Sequence, residues 1–445
     1  MIQPTVAKLQ RTLGTIALVF VLFFCTSGGA FTTETLVASV GPGLALAILI
    51  AVPLLWSLPE VLIIAELASM LPEEGGYYRW VRRAFGPFWA FQNAWLTWMY
   101  SLVDMALYPV LFNQYLAYFL PGLGKGRQWA ISLGVIWTAT ALNLRGARPV
   151  GRVSVAAGSF ILLGFALLAI VALPHAAHVP WLPFSKGGEG ALGATGVGLS
   201  LALWNYTGWD NASTVQGEVR DASRAYPRAL AFTLPIVMIG YLLPLGATLA
   251  ATDWRTWHEG GWSDIARALP GPLAPVLATW LGLAGLVSAL SLFNALLLAY
   301  SRIPLAMAED GQLPRFLARV DARGTPTTAV LASGICYSIF ALFQLRWLVV
   351  ADVLLYALAL FLEFGALIAL RRNEPDLRGS FRIPFGTGVV TALAVLPMLI
   401  LTVVVWLEIQ DTAFGLPAVL GSLVAIGLGP VAYGLGKAAQ DSRAG

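Results

Sequence analysis

Runs of about 20 predominantly apolar residues recur along almost the whole chain, and a run of that length is what an α-helix needs to cross a bilayer. Twelve such segments can be drawn: roughly 14–40, 43–68, 87–118, 128–144, 152–173, 193–218, 229–251, 273–300, 326–343, 348–370, 389–408 and 414–435. The connections between them are short, about 20 residues at most, so no sizeable soluble domain is expected. Composition bears on the same point. Of 445 residues 58% are hydrophobic and 11% are charged, against about 25% charged in an ordinary soluble protein. Soluble domains of this total length would lack the polar residues to cover their surfaces. A disordered chain, a disulfide scaffold and a nucleic-acid binder are excluded on the same ground, and the isoelectric point near 9.1 reflects a net charge of only +4. The reading is an all-α polytopic membrane protein with 12 transmembrane helices. The first apolar run, beginning near Gly14, is expected to be retained as a span rather than removed as a signal sequence.

Orientation follows from lysine and arginine, which gather on the cytoplasmic side of short loops. With an even number of spans, 21 of the 27 fall on the side that holds both termini and 6 on the other, namely Lys125, Arg127, Lys186, Arg255, Arg267 and Arg346. An odd number of spans would scramble this split. Both termini, residues 1–13 and 436–445, are therefore expected on the cytoplasmic side of the cell membrane.

Two spans are defective as continuous helices. The first contains Cys25-Thr26-Ser27-Gly28-Gly29-Ala30-Phe31-Thr32-Thr33-Glu34, and the sixth contains Trp204-Asn205-Tyr206-Thr207-Gly208-Trp209-Asp210-Asn211. Each places glycine, small hydroxyls and a carboxylate near mid-membrane. Interrupted segments at corresponding positions of two halves mark a transporter's binding site. Close helix packing is the alternative use of such glycines.

At these residues the sequence resembles the amino acid–polyamine–organocation superfamily of transporters, and within it the polyamine-uptake and L-type amino acid permease branch known from plants. The matching stretches are Ser27 to Phe31 and Glu34; Ala65-Glu66-Leu67 through Gly75-Gly76-Tyr77; Gly86-Pro87-Phe88-Trp89; Asp104 to Val110; and, most specifically, Trp204-Asn205-Tyr206 through Trp209-Asp210 and Glu218 to Arg228 and Leu230. The likeness is clear over about residues 14–320 and weaker afterwards. Ala30 stands where the plant proteins are expected to carry proline. The resemblance implies a five-plus-five inverted-repeat core with broken helices 1 and 6: a first repeat over 14–173, a second over 193–370, and two further spans over 389–435 outside it.

Carboxylates inside the membrane carry the functional signal, since each costs roughly 2.5–3.5 kcal/mol at mid-bilayer on insertion scales. Glu34, Asp104 and Asp210 lie well inside spans, Glu60 and Glu363 also fall within spans, and Glu66 and Glu218 lie toward the cytoplasmic ends. No lysine or arginine sits at span centres, so a cationic substrate or a proton would supply the missing charge. Protonation, hydrogen bonding to unwound backbone, or helix capping by Asp210 are the structural alternatives. Free N–H groups at Ser27, Gly28 and Gly29, aimed by a half-helix dipole, would suit a substrate carboxylate. Carbonyls around Gly208 would suit an ammonium group. Trp204, Tyr206 and Trp209 cluster at the sixth-span break and offer aromatic faces to a cation; Tyr100 and Tyr108 flank Asp104.

Glu218 has a gate-like placement, with Arg228, Arg302 and Arg79 as possible partners; Glu218 and Arg228 are taken as the gate pair. Tyr77 to Arg83 reads as an interfacial helix. Ser288 and Ser291, spaced i and i+3, form a weak candidate ion site for sodium, and proton coupling is favoured. No ATPase motif, nucleophile–base pair, metal-ligand cluster, cofactor motif or appended signalling domain is visible, so no enzyme is expected. The expected function is a proton-coupled permease for cationic amines, namely polyamines or basic amino acids, in the cell membrane. The alternative is a permease or exchanger for zwitterionic neutral amino acids.

Overall fold

The computed structural model describes residues 9–187, 191–341, 348–410 and 415–444. Lys8, Arg346 and the ends of the ninth and twelfth apolar segments lie outside the described residues. Among the described residues all regular structure is helical, apart from one parallel bridge between Leu13 and Val219. A helix satisfies its own backbone hydrogen bonds, the condition hydrocarbon imposes. Among the described residues seven helices are long and apolar enough to cross a membrane: Pro42–Met70, Ala147–His175, Ala222–Ala251, Ala274–Glu309, Ala351–Asn373, Thr387–Leu407 and Leu416–Ala438. The chain is a multi-pass membrane protein. The other five apolar segments fold as helices that are broken, short or more polar: Thr15–Thr26 with Thr33–Val40, Pro87–Leu116, Lys125–Asn143, Ala191–Trp204 and Thr327–Phe340.

Proline shapes several of these helices. Pro42 opens its helix in the first turn, where a missing N–H is no loss. Pro53 falls inside the same span, and there the helix widens into a π turn over Pro53–Ser57. Helix Ala222–Ala251 holds Pro227, Pro235 and Pro244 in its interior, which buried membrane helices tolerate.

Packing places one group of helices around the centre. The Asp104 helix (Pro87–Leu116) lies between the Ser288 helix (Ala274–Tyr300) and the Tyr356 helix (Leu348–Asn373). Helix Thr15–Thr26 crosses beside them, against Ala147–Ala172, Ala222–Ala251 and the Ser288 helix. Helices Thr387–Glu408 and Gly415–Ala444 are peripheral. Their Leu399, Val403, Trp406, Leu420, Leu423 and Val424 stand exposed, an apolar band that a bilayer would cover. Helix Tyr77–Phe85 buries Tyr77, Tyr78, Trp80 and Val81 and turns Arg82 and Arg83 outward, the amphipathic division read from its sequence.

Candidate functional site

Both interrupted helices lose regular hydrogen bonding where glycine allows it. Helix Thr15–Thr26 ends at Ser27, Gly28 and Gly29 take φ values of +70° and +110°, and the chain resumes as helix Thr33–Val40. Those φ values are accessible to glycine and costly to other residues. Space is equally restrictive: a Cβ on Gly28 would stand 2.7 Å from Leu292 Cδ1 and Ser288 Oγ. The second interruption follows Trp204, passes Gly208 at φ +98°, and resumes as a tight turn of 3-10 helix over Asn211–Glu218. A Cβ on Gly208 would collide with the Cys25 carbonyl oxygen, so the two breaks lie against each other. Thr32 Oγ1 and the Asn205 amide join them at 2.9 Å.

A small cavity opens where the breaks meet. Cys25, Thr26 and Ser27 line it from the first break, and Trp204, Asn205, Thr207, Gly208 and Asn211 from the second. The surrounding helices add Tyr100, Asp104 and Tyr108, then Leu292 and Tyr300, then Asp352 and Tyr356. Among the described residues two carboxylates therefore face this space, and no lysine, arginine or histidine lines it. Asp104 Oδ1 accepts the Tyr108 hydroxyl at 2.5 Å and the Trp204 indole N–H at 3.3 Å, while Oδ2 accepts the Tyr300 hydroxyl at 3.2 Å. Tyr108 and Trp204 stack with centroids 6.2 Å apart, and Tyr100 meets Tyr300 and Tyr356 edge-on. Asp352 is buried, and its Oδ1 has no hydrogen-bond partner among the described residues. Buried carboxylates ringed by aromatic faces suit a cation, which recovers their desolvation cost and gains the ring quadrupoles.

Several residues singled out from the sequence take other places. Gly28 N–H donates to the Phe23 carbonyl at 3.1 Å and Gly29 N–H to Ser27 Oγ at 3.1 Å. The expectation that both are free for a substrate carboxylate is therefore corrected. Tyr206 and Trp209 face inward rather than into the cavity: Tyr206 donates to the Leu49 carbonyl at 3.0 Å and Trp209 Nε1 to the Tyr206 carbonyl at 2.8 Å. They brace the break. Asp210 lies behind the cavity wall, accepting the Tyr356 hydroxyl at 2.6 Å. Glu34 sits on the far side of the first break, holding Gly260 N–H at 3.0 Å and the Tyr115 hydroxyl at 3.3 Å. Ser288 donates to the Gly28 carbonyl at 2.6 Å, and Ser291 is buried on the same helix.

The arginine-rich end of the molecule carries a cluster of ion pairs. Arg302 is fully buried and binds Glu218 Oε1 through Nη2 at 2.6 Å and Nε at 2.9 Å. Arg228, the expected gate partner, is exposed on helix Ala222–Ala251, too far out to compete; among the described residues it forms no ion pair. Glu74, on the loop after Met70, accepts Gly217 N–H at 2.8 Å beside this pair. Burial and the neighbouring Glu218 push its carboxyl well above the usual carboxylate range, against the pull of Arg302. Further out, Arg79 binds Glu309 and Asp310, and Arg371 binds Glu66 through two bonds at 2.6 and 2.5 Å. Sequence reasoning missed Asp352, Tyr300, Tyr356 and Asn211. The overlooked signal for Asp352 was a lone carboxylate in the apolar run Val349 to Leu355.

Comparison with known proteins agrees with this architecture. A family described as "Amino acid permease" matches residues 11–426. The chain is similar to the rice (Oryza sativa subsp. japonica) protein named polyamine transporter PUT1, with 36% identity over 96% of this chain and 77% of the relative. It is similar to the Arabidopsis thaliana protein named polyamine transporter RMV1, with 35% identity over 94% of this chain and 83% of the relative. An uncharacterized transporter of Legionella pneumophila is 26% identical over 76% of this chain and 77% of its own length.

Proposed function

Since the chain belongs to the amino acid permease family, a family of transporters and not of enzymes, we propose that it is a secondary active transporter for cationic amines. The relatives named as polyamine transporters support an amine or amino acid substrate. The observation that carries the preference for a cation is the cavity itself: among the described residues Asp104 and Asp352 line it and no basic side chain does. A neutral amino acid brings one ammonium and one carboxylate. The first would find Asp104, but the second would find the amides of Gly28 and Gly29 already engaged.

The proposed frame is twelve spans with five-plus-five inverted repeats, both termini in the cytoplasm and the arginine-rich end facing inward. The 21 to 6 division of basic residues supports that orientation. Arg302 and Glu218 then form the inner gate, and Glu34 with the segment around Gly260 the outer one.

A proton is the proposed coupling ion. Glu34, Asp104, Asp210 and Asp352 form no ion pair among the described residues. Ser288 already uses its hydroxyl hydrogen on the Gly28 carbonyl, one of the oxygens a sodium ion would need. An inward proton gradient drives uptake under this reading, and sodium is dispensable. Sodium-dependent uptake that survives collapse of the pH gradient would overturn it.

Substrate class is tested by a binding series with putrescine, arginine and alanine on wild type and Asp104→Asn. The substitution keeps shape and removes charge. Putrescine binding should weaken by roughly 2–5 kcal/mol, the range for breaking a desolvated charge pair, and alanine binding should change far less. If alanine binds best and the variant binds all three as before, the neutral amino acid reading replaces this one.

A further inference from the structure

Behind the cavity wall lies a second acidic site whose hydrogen count does not close without an added proton. The Tyr356 hydroxyl oxygen stands 2.5 Å from Glu60 Oε1 and 2.6 Å from Asp210 Oδ1. It also accepts the Gly208 N–H at 2.8 Å. A phenol carries one hydrogen and can donate it to only one of the two carboxylates. The other contact needs a hydrogen of its own, because two bare acceptor oxygens repel at that separation. That hydrogen can sit only on a carboxyl group, so the Glu60–Asp210 pair holds one proton between its two members in this conformation.

The surroundings supply no alternative charge. Glu60 and Asp210 are buried, and Glu60 Oε2 has no partner among the described residues. Glu363 lies on the Tyr356 helix two turns further on and is also fully buried; Asn93 reaches its Oε1 at 3.3 Å, and Oε2 is unpartnered among the described residues. The other titratable groups facing the cluster are Tyr77, Tyr100 and Tyr226, with Cys25 across the break. None of the ion pairs among the described residues includes Glu60, Asp210 or Glu363.

We infer that Glu60, Asp210 and Tyr356 form the site that carries the coupled proton, separate from the amine-binding cavity and joined to it by the Tyr356 hydroxyl. The inference rests on the proton-coupled reading above and assigns its residues. The balance is simple. One proton enters from the outer side onto the carboxylate pair, taking it from two negative charges to one. The same proton leaves to the inner side, and no bond to the substrate changes. Tyr356 lines the cavity and holds Gly208 in the second break. Loss of the proton removes one of its two acidic contacts and sets two negative charges against each other. The pair separates, and Tyr356 moves with it. Proton occupancy thereby sets the shape of the cavity wall.

The test uses the full chain in proteoliposomes with labelled putrescine. Two rates are measured: net uptake with and without an inward proton gradient, and exchange at equal pH on both sides. Wild-type net uptake should rise about fivefold or more with the gradient, the lower end of ordinary coupling between sites. Glu60→Gln keeps the size and can donate an amide hydrogen to Tyr356, imitating the protonated state without titrating. Its gradient ratio should fall to about one while exchange continues. A variant that keeps the wild-type ratio overturns the assignment. Wild-type uptake indifferent to the gradient overturns the proton-coupled reading first, before any substitution is considered. A second readout requires no variant: the infrared C=O stretch of a protonated carboxyl in the purified wild type. It should be present at neutral pH and shift when Tyr356 is replaced by Phe, and its absence at neutral pH overturns the assignment.

Discussion

In the proposed transporter the two ends of the cavity are shut by different chemistry. At the arginine-rich end the seal is ionic and fully enclosed, with Arg302 on Glu218 and Glu74 beside them. At the opposite end it is built from single hydrogen bonds: Gly260 N–H and the Tyr115 hydroxyl to Glu34, and the Trp262 indole N–H to the Ala30 carbonyl at 2.9 Å. Breaking a buried ion pair by removing one partner costs about 3–5 kcal/mol, because a charge is left stranded. Losing a hydrogen bond to a charged group costs about 1.5–3 kcal/mol. On the proposed reading the inner, arginine-rich end thus carries the stronger closure and the outer end the weaker one.

Cys25 lines the cavity between the seals, so its alkylation by an impermeant maleimide reports which end is open. Cys336 is replaced by serine in the background. The largest effect is expected for Arg302→Ala, which strands Glu218 and should destabilise the sealed state by about 3–5 kcal/mol. Cys25 should then react from the arginine-rich side. Unchanged protection there would mean that the ion pair is not the seal. Glu34→Ala should produce the opposite pattern with a smaller shift, about 1–3 kcal/mol for the hydrogen bonds removed. Labelling should rise from the other side only, and equal labelling from both sides would dissolve the contrast between the ends.

The smallest effect concerns pH. Glu74 keeps its proton in the folded protein to higher pH than in the unfolded chain, so the folded state binds more protons above the ordinary carboxylate value near 4.5. By linkage, stability falls as pH rises through that window. Glu74→Gln should flatten this part of the melting-temperature profile while leaving the Cys25 pattern at neutral pH unchanged. A profile that keeps its slope would mean that Glu74 is ionised when folded.

Position along a helix was legible in the sequence and direction was not. Helical runs, the two glycine breaks and the central position of Asp104 depend on position along a helix, which apolar run length reports. Whether a side chain at that depth turns into the cavity depends on rotation about the helix axis and on the neighbours that pack there. Trp204 and Trp209 show the difference. They are five residues apart, and one stacks on Tyr108 in the cavity while the other braces the backbone behind it. Glu34 and Asp352 likewise exchanged their expected importance. The Gly28 and Gly29 amides were expected to be free because unwound backbone lacks helical partners, but a bond to Phe23 and a neighbouring serine hydroxyl took them up. Gate pairing was ambiguous for the same reason, since both Arg228 and Arg302 fall at segment ends in the sequence and only packing buries one of them.

The bridge between Leu13 and Val219 carries a mechanical consequence. Thr12 and Leu13 N–H both donate to the Glu218 carbonyl, and Arg220 N–H returns a bond to Leu13. Segment Thr15–Thr26 and turn Asn211–Glu218 are thereby stitched together at the ends remote from their breaks. Neither segment can shift at that end without breaking these three bonds or carrying the other with it.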